Sequence, residues 1–124
     1  MGLSKRMNNK RVLIVDDQSP ARSGLTALLN QVPQIEVVGL ATNGLESLKL
    51  VEKLHPDVVL IDIQMPVMDG LETITHIKKR WTKVRVIALT LYPSYRADAL
   101  SAGADEILIK GCATKMLLGA ILNQ

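Results

Sequence analysis

From Arg11 onward the chain alternates short β-branched apolar runs with longer stretches whose apolar residues recur at helical spacing, a pattern that confines it to successive parallel βα units. The strands are expected at 12–16 (VLIVD), 35–41 (IEVVGLA), 58–62 (VVLID), 84–90 (VRVIALT) and 106–109 (EILI). Three of these are almost continuously apolar, as strands must be when helices cover both faces of a sheet.

Helix signals fill each interval. The first helix is expected to be capped by Ser19 ahead of Pro20, to bury Leu25, Leu28, Leu29 and Val32, and to stop at Pro33. A second follows Asn43-Gly44, presents Leu45, Leu48 and Val51, and ends at His55-Pro56. Asp69 should cap the third, with Leu71, Ile74, Ile77 and Trp81 inward. Ser94 should cap a short fourth closed by Gly103, and a fifth from about Thr114 carries Met116, Leu117, Ala120 and Ile121. Right-handed crossovers and two-sided coverage then give a flavodoxin-like, doubly wound α/β fold: a five-stranded parallel sheet of order 2-1-3-4-5 with five helices. At 124 residues the chain suffices for one such core.

Composition removes several alternatives. With no Phe and 2% aromatic residues the core must be aliphatic, and a base-stacking platform for single-stranded nucleic acid is not on offer. One cysteine, Cys112, cannot form an internal disulfide or a thiolate metal cage, which fits a reducing, cytoplasmic setting. No apolar run is long enough to span a bilayer. The net charge of +3 is concentrated at one end: Lys5, Arg6, Lys10 and Arg11 stand without an acid among residues 1–11. Residues 1–10 read as a basic flexible tail before a domain over 11–124. His55 and His76 are isolated surface residues, and the basic run Lys78, Lys79, Arg80, Lys83 and Arg85 reads as a solvated face.

In a doubly wound sheet, ligands sit beyond the C-terminal strand ends where the strand order reverses, here between strands 1 and 3. Asp16 and Asp17 end strand 1, and Asp62 ends strand 3. Three carboxylates in one place must take up protons or recruit a cation, and an all-oxygen donor set favours Mg2+ or Mn2+. Thr90 and Lys110 close strands 4 and 5 and bring a hydroxyl and an ammonium to the same edge. A cation and a lysine around a carboxylate suit a transferred phosphoryl group, with Asp62, expected to be the most enclosed acid, as nucleophile. The plainer alternative is that Thr90 is an ordinary strand residue and Lys110 merely pairs with Asp17.

The segments VLIVDD, VVLIDIQMPVMDG, VIALT and GADEILIKG resemble the receiver domain of two-component response regulators over residues 11–123. The resemblance implies that Asp62 accepts a phosphoryl group from a histidine kinase or phosphotransfer protein. It also implies that Asp17, Asp62 and the main-chain carbonyl of Gln64 bind Mg2+, that Asp16 assists indirectly, and that Thr90 and Lys110 contact the phosphoryl oxygens. VVGLATNGLESL and Lys110-Gly111-Cys112 resemble the NarL/FixJ (LuxR-type) subgroup. That implies possible homodimerisation on phosphorylation through the helix 4, strand 5 and helix 5 surface. DNA would be reached only through an output domain outside these residues, in transcription regulation.

Three positions depart from the pattern. Ile107 stands where family members carry an aromatic residue that turns inward on activation, with Tyr92 and Tyr95 nearby as substitutes. Leu91 replaces a small residue after Thr90 and is expected to narrow access, while Gly111 follows Lys110 in place of proline. Ile107 and Leu91 also favour a rival reading, a receiver-like interaction module that acts without phosphorylation.

Overall fold

The computed structural model describes residues 9–123. Its strands are β1 (Lys10–Val15), β2 (Ile35–Ala41), β3 (Val58–Asp62), β4 (Arg85–Thr90) and β5 (Glu106–Ile109). All pair in parallel, in the order β2-β1-β3-β4-β5. The helices are α1 (Ser19–Leu29), α2 (Gly44–Leu54), α3 (Gly70–Arg80), α4 (Arg96–Ala102) and α5 (Thr114–Leu122), with a 3-10 turn at Pro93–Tyr95 before α4.

Period-two alternation divides the core. Val12 and Ile14 of β1, Val58 and Leu60 of β3, and Ile87 and Leu89 of β4 join Leu29 of α1 and Leu117 and Ile121 of α5. Leu13, Val15, Val59, Ile61, Val86 and Ala88 face the other way, against Val51 of α2, Ile74 and Ile77 of α3 and Ala99 of α4. Successive strand residues point to opposite faces, so one sheet holds two separate apolar layers together. β3 is central and buried at every residue.

Several boundaries differ from the sequence reading. β1 begins at Lys10, whose N–H bonds the Gln34 carbonyl at 2.8 Å, so the paired sheet takes in the last residue assigned to the tail. Residues 1–8 of the basic tail, with Lys5 and Arg6, lie outside the described residues. Ser19 is the first residue of α1, not its cap: Gln18 occupies that position without a side-chain bond. The helix closes at Leu29, before Pro33 can act. Ser94 lies inside the 3-10 turn and caps nothing. Leu45 and Met116 stand 45% and 56% exposed, because each sits at the margin of its helix's apolar stripe. Asp69 caps α3 as expected, accepting from the Glu72 N–H, and Asn43 caps α2 by accepting from the Glu46 N–H.

The start of α3 lies so close to the end of β3 that a Cβ on Gly70 would overlap the Asp62 carbonyl oxygen and the Ile63 backbone. Gly24, within α1, has open space around it. Gly70→Ala should therefore cost about 2 kcal/mol or more in urea unfolding, while Gly24→Ala should add about 0.5–1 kcal/mol by raising helix propensity.

Candidate functional site

Three strand ends converge on one cluster of charge. Asp16 follows β1 directly and is 2% exposed; its Oδ1 accepts the Gln18 N–H at 2.8 Å, and its own carbonyl accepts from Arg22 Nη1 at 2.7 Å. Asp17 is half-buried, its Oδ2 held at 3.3 Å by the side-chain amide of Gln18. Asp62 ends β3 at 7% exposure, with Oδ1 accepting a long 3.4 Å bond from the Gln64 N–H. Each of the three acids offers an oxygen within 4.8 Å of the others.

Lys110 follows β5, anchored by its N–H to the Thr90 carbonyl at 2.8 Å. Its ammonium reaches back across the sheet to Asp16 Oδ2 at 3.1 Å and Asp62 Oδ2 at 3.3 Å. The plainer alternative, a Lys110–Asp17 pair, does not form: the lysine meets Asp16 and Asp62, which are buried, while Asp17 is half-exposed. One expectation is corrected: Asp16, not Asp62, is the most enclosed acid, at 2% against 7% exposure.

The electrostatics follow from this geometry. Burial pushes the Asp62 carboxyl above its ordinary value of 3.8; the charge of Lys110 opposes the rise and Asp16 adds to it. Burial would lower Lys110, but its hydrogen bond to Asp16 and the nearby Asp62 charge outweigh that and hold it above 10.5. Three carboxylates against this one ammonium leave an excess of negative charge on an all-oxygen donor set, which suits a hard divalent cation. The residues present fit such an ion.

Thr90 ends β4, 1% exposed, with its Oγ1 accepting the Tyr92 N–H at 3.0 Å. It shares the strand-end edge, but its hydroxyl is engaged within its own loop. Gln64 is exposed, and its side-chain amide meets the Tyr95 hydroxyl at 3.3 Å. Ile107 is buried in the layer against which Tyr95 packs. Sequence reasoning missed Arg22 and Gln18 as supports of the acid pair, since neither lies in a motif. It noted Tyr95 without its tie to Gln64.

The loop after Asp62 is strained. Val67 adopts φ +71°, and the Met68 N–H bonds the Pro66 carbonyl at 2.8 Å, closing a γ-turn around a β-branched residue that is 77% exposed.

The fold and site define a doubly wound domain with an acid cluster and a lysine at its switch point. The chain belongs to the response regulator receiver domain family, whose model matches residues 12–122. It is 35% identical over 113 residues to the nitrate/nitrite response regulator protein NarL of Escherichia coli (strain K12), covering 89% of this chain and 52% of that one. The chain thus spans about half the length of that relative. Among solved structures, it resembles a DNA-binding response regulator of the LuxR family from Staphylococcus aureus, with TM-score 0.85, 30% identity, and coverage of 93% of this chain and 99% of that one. It also resembles the isolated REC domain of RcsB from Salmonella enterica serovar Typhimurium, solved in the presence of phosphomimetic BeF3-, with TM-score 0.78, 28% identity, and coverage of 86% and 80%.

Three outcomes follow for the unliganded protein. Lys110→Ala leaves two buried carboxylates without their cation and should lower stability by about 1–3 kcal/mol in urea at pH 7. Asp62→Asn should be more stable than wild type at pH 7. The native state holds the Asp62 proton more tightly than the unfolded chain, so this advantage shrinks as pH falls from the raised native pKa to below 3.8 and Asp62 becomes neutral in both states. Val67→Gly relieves the positive φ and should add about 1 kcal/mol by the same measurement.

Proposed function

We propose that Asp62 accepts a phosphoryl group and that the chain is a phosphorylation-dependent switch. The observation that supports this most strongly is that Lys110 bridges Asp62 and Asp16, leaving Asp62 with one oxygen engaged by the ammonium and the other held only by a 3.4 Å bond. That second oxygen, Oδ1, is the one available to attack phosphorus. With a phosphohistidine donor, the new O–P bond forms as the P–N bond breaks, and the imidazole leaves with its electron pair. Burial that raises the basicity of Asp62 favours attack.

Asp16, Asp17, Asp62 and the main-chain carbonyl of Gln64 would hold Mg2+ or Mn2+, with Asp16 acting indirectly. When bound, the ion offsets the charge that accumulates on the transferring oxygens. Lys110 supplies a fixed positive charge on the other side, and Thr90 can donate to a phosphoryl oxygen once its hydroxyl leaves the Tyr92 N–H. That exchange links occupancy at Asp62 to the 3-10 turn and α4.

The donor is a histidine kinase or phosphotransfer protein, in the cytoplasm. The responding surface comprises α4, β5 and α5 and serves a homodimer or an output module. DNA binding and transcription regulation would run through such a module, as the LuxR-family and NarL relatives suggest. The receiver unit begins with the paired residues of β1 at Lys10, and the basic residues before it form a lead-in. Among the described residues no helix is long and apolar enough to cross a membrane.

Incubation with acetyl phosphate and Mg2+, followed by intact-mass measurement, should add one phosphoryl group to wild type. Asp62→Asn or EDTA should abolish the addition, and Lys110→Ala should reduce its rate at least tenfold. An unmodified wild type, or equal labelling of Asp62→Asn, overturns the proposal and leaves an interaction module read without phosphorylation.

A further inference from the structure

Helices α2 and α3 leave a groove of about 420 Å³ on the surface away from the acid cluster. Its apolar lining is Leu45, Leu48 and Trp81. Leu45 is 45% exposed, and Leu48 and Trp81 are only partly covered, packed against the layer beneath α2 and α3. An aromatic and two leucines at a surface cleft give an apolar anchor a place to bury itself.

The rim is positively charged. Lys49 of α2 and Lys79 and Arg80 of α3 line it together with His76. Glu52 is the one acid in the lining, and Arg80 already engages it at 2.6 Å while lying 4.9 Å over the Trp81 ring. Among the described residues Lys49 and Lys79 have no acidic partner within ion-pair distance. Two other members of the basic run are tied elsewhere: Lys78 to Asp105 at 2.8 Å, and Arg85 to Glu106 at 2.7 Å. Within that run, structural ion pairs absorb Lys78, Arg80 and Arg85, and of the two lysines without one, Lys79 lines the groove.

We infer that the α2–α3 groove docks a short acidic peptide segment of a partner protein, with one apolar side chain seated against Trp81 and Leu45 and carboxylates facing Lys49 and Lys79. Charge complementarity selects this occupant. An uncharged apolar segment would leave the two lysines unanswered, and a small inorganic anion would leave the apolar lining unused. From Leu45 to Glu52 the groove runs roughly 10 Å along α2 at the helical rise, the length of about three extended residues. The surface is separate from the α4, β5 and α5 face and does not depend on the chemistry of Asp62.

Trp81 is the chain's one tryptophan, so its fluorescence reports on the groove directly. The probe is a synthetic hexapeptide of four Glu, one Leu and one Phe, titrated into the full chain at low and moderate salt. The expected result is a saturable change in Trp81 emission that weakens several-fold as salt rises. Lys49→Glu with Lys79→Glu should weaken binding at least tenfold, and Lys115→Glu on α5 should change it less than twofold. Far-UV circular dichroism and acetyl phosphate labelling of the double variant should match wild type, which shows that the fold and the Asp62 site are intact. No saturable change, equal binding of a peptide with Gln for Glu, or equal weakening by Lys115→Glu overturns the inference. Self-association of the chain in sedimentation that the double variant abolishes also overturns it, in favour of a second copy as occupant.

Discussion

Everything at the functional edge depends on how one ammonium is shared between two buried carboxylates. Lys110 leaves the outermost strand of the sheet and reaches acids on β3 and β1, crossing the end of β4. Strands lie about 4.8 Å apart, so β5 and β3 are separated by roughly 10 Å. Only a long side chain meeting an Asp partway closes that gap. The contact links residues 94 positions apart and fastens the two halves of the sheet at the point where strand order reverses. An acid cluster without it would be a standing electrostatic cost; with it, the excess negative charge is reduced but not removed. What remains is a site that holds its shape and still attracts a cation.

The loops around this edge are specified by close approach. Gly70 lets α3 begin directly on the backbone of β3, and Asp69 then caps that helix. The γ-turn at Val67 is the strained link between the two. Asp62 is thus held between a rigid strand and a helix that starts eight residues later, and the supporting bonds from Gln18 and Arg22 fix Asp16 from the opposite side. Rigid elements on both sides keep the carboxylates in register despite their mutual repulsion.

Much of this was legible in the sequence because the hydrophobic signal is strong where it matters. The apolar runs at β1, β3 and β4 and the stripes of α1 and α3 declare their periods, and handedness then orders the strands. The strand order in turn assembled Asp16, Asp17, Asp62, Thr90 and Lys110 at one edge. The pairing within that edge was not legible. Whether Lys110 meets Asp16 or Asp17 depends on which of two adjacent residues turns inward, which the twist of the last strand residues decides and no local pattern records. Nor could Ser94 be read correctly: a hydroxyl beside a proline looks like a cap, but the 3-10 turn takes the chain past it. Leu45 and Met116 looked like core because helical spacing gives a stripe's direction and not its width.

The short helix α4 has a thermodynamic consequence of its own. It has seven residues, starts without a capping side chain, and buries only Ala99 fully. A segment with so little apolar anchorage opens at small energetic expense. Its amides should be among the first in the described chain to exchange with solvent, while those of β3 exchange last. The molecule therefore carries a gradient of rigidity, from the strand that bears Asp62 to a neighbouring helix soft enough to be redrawn.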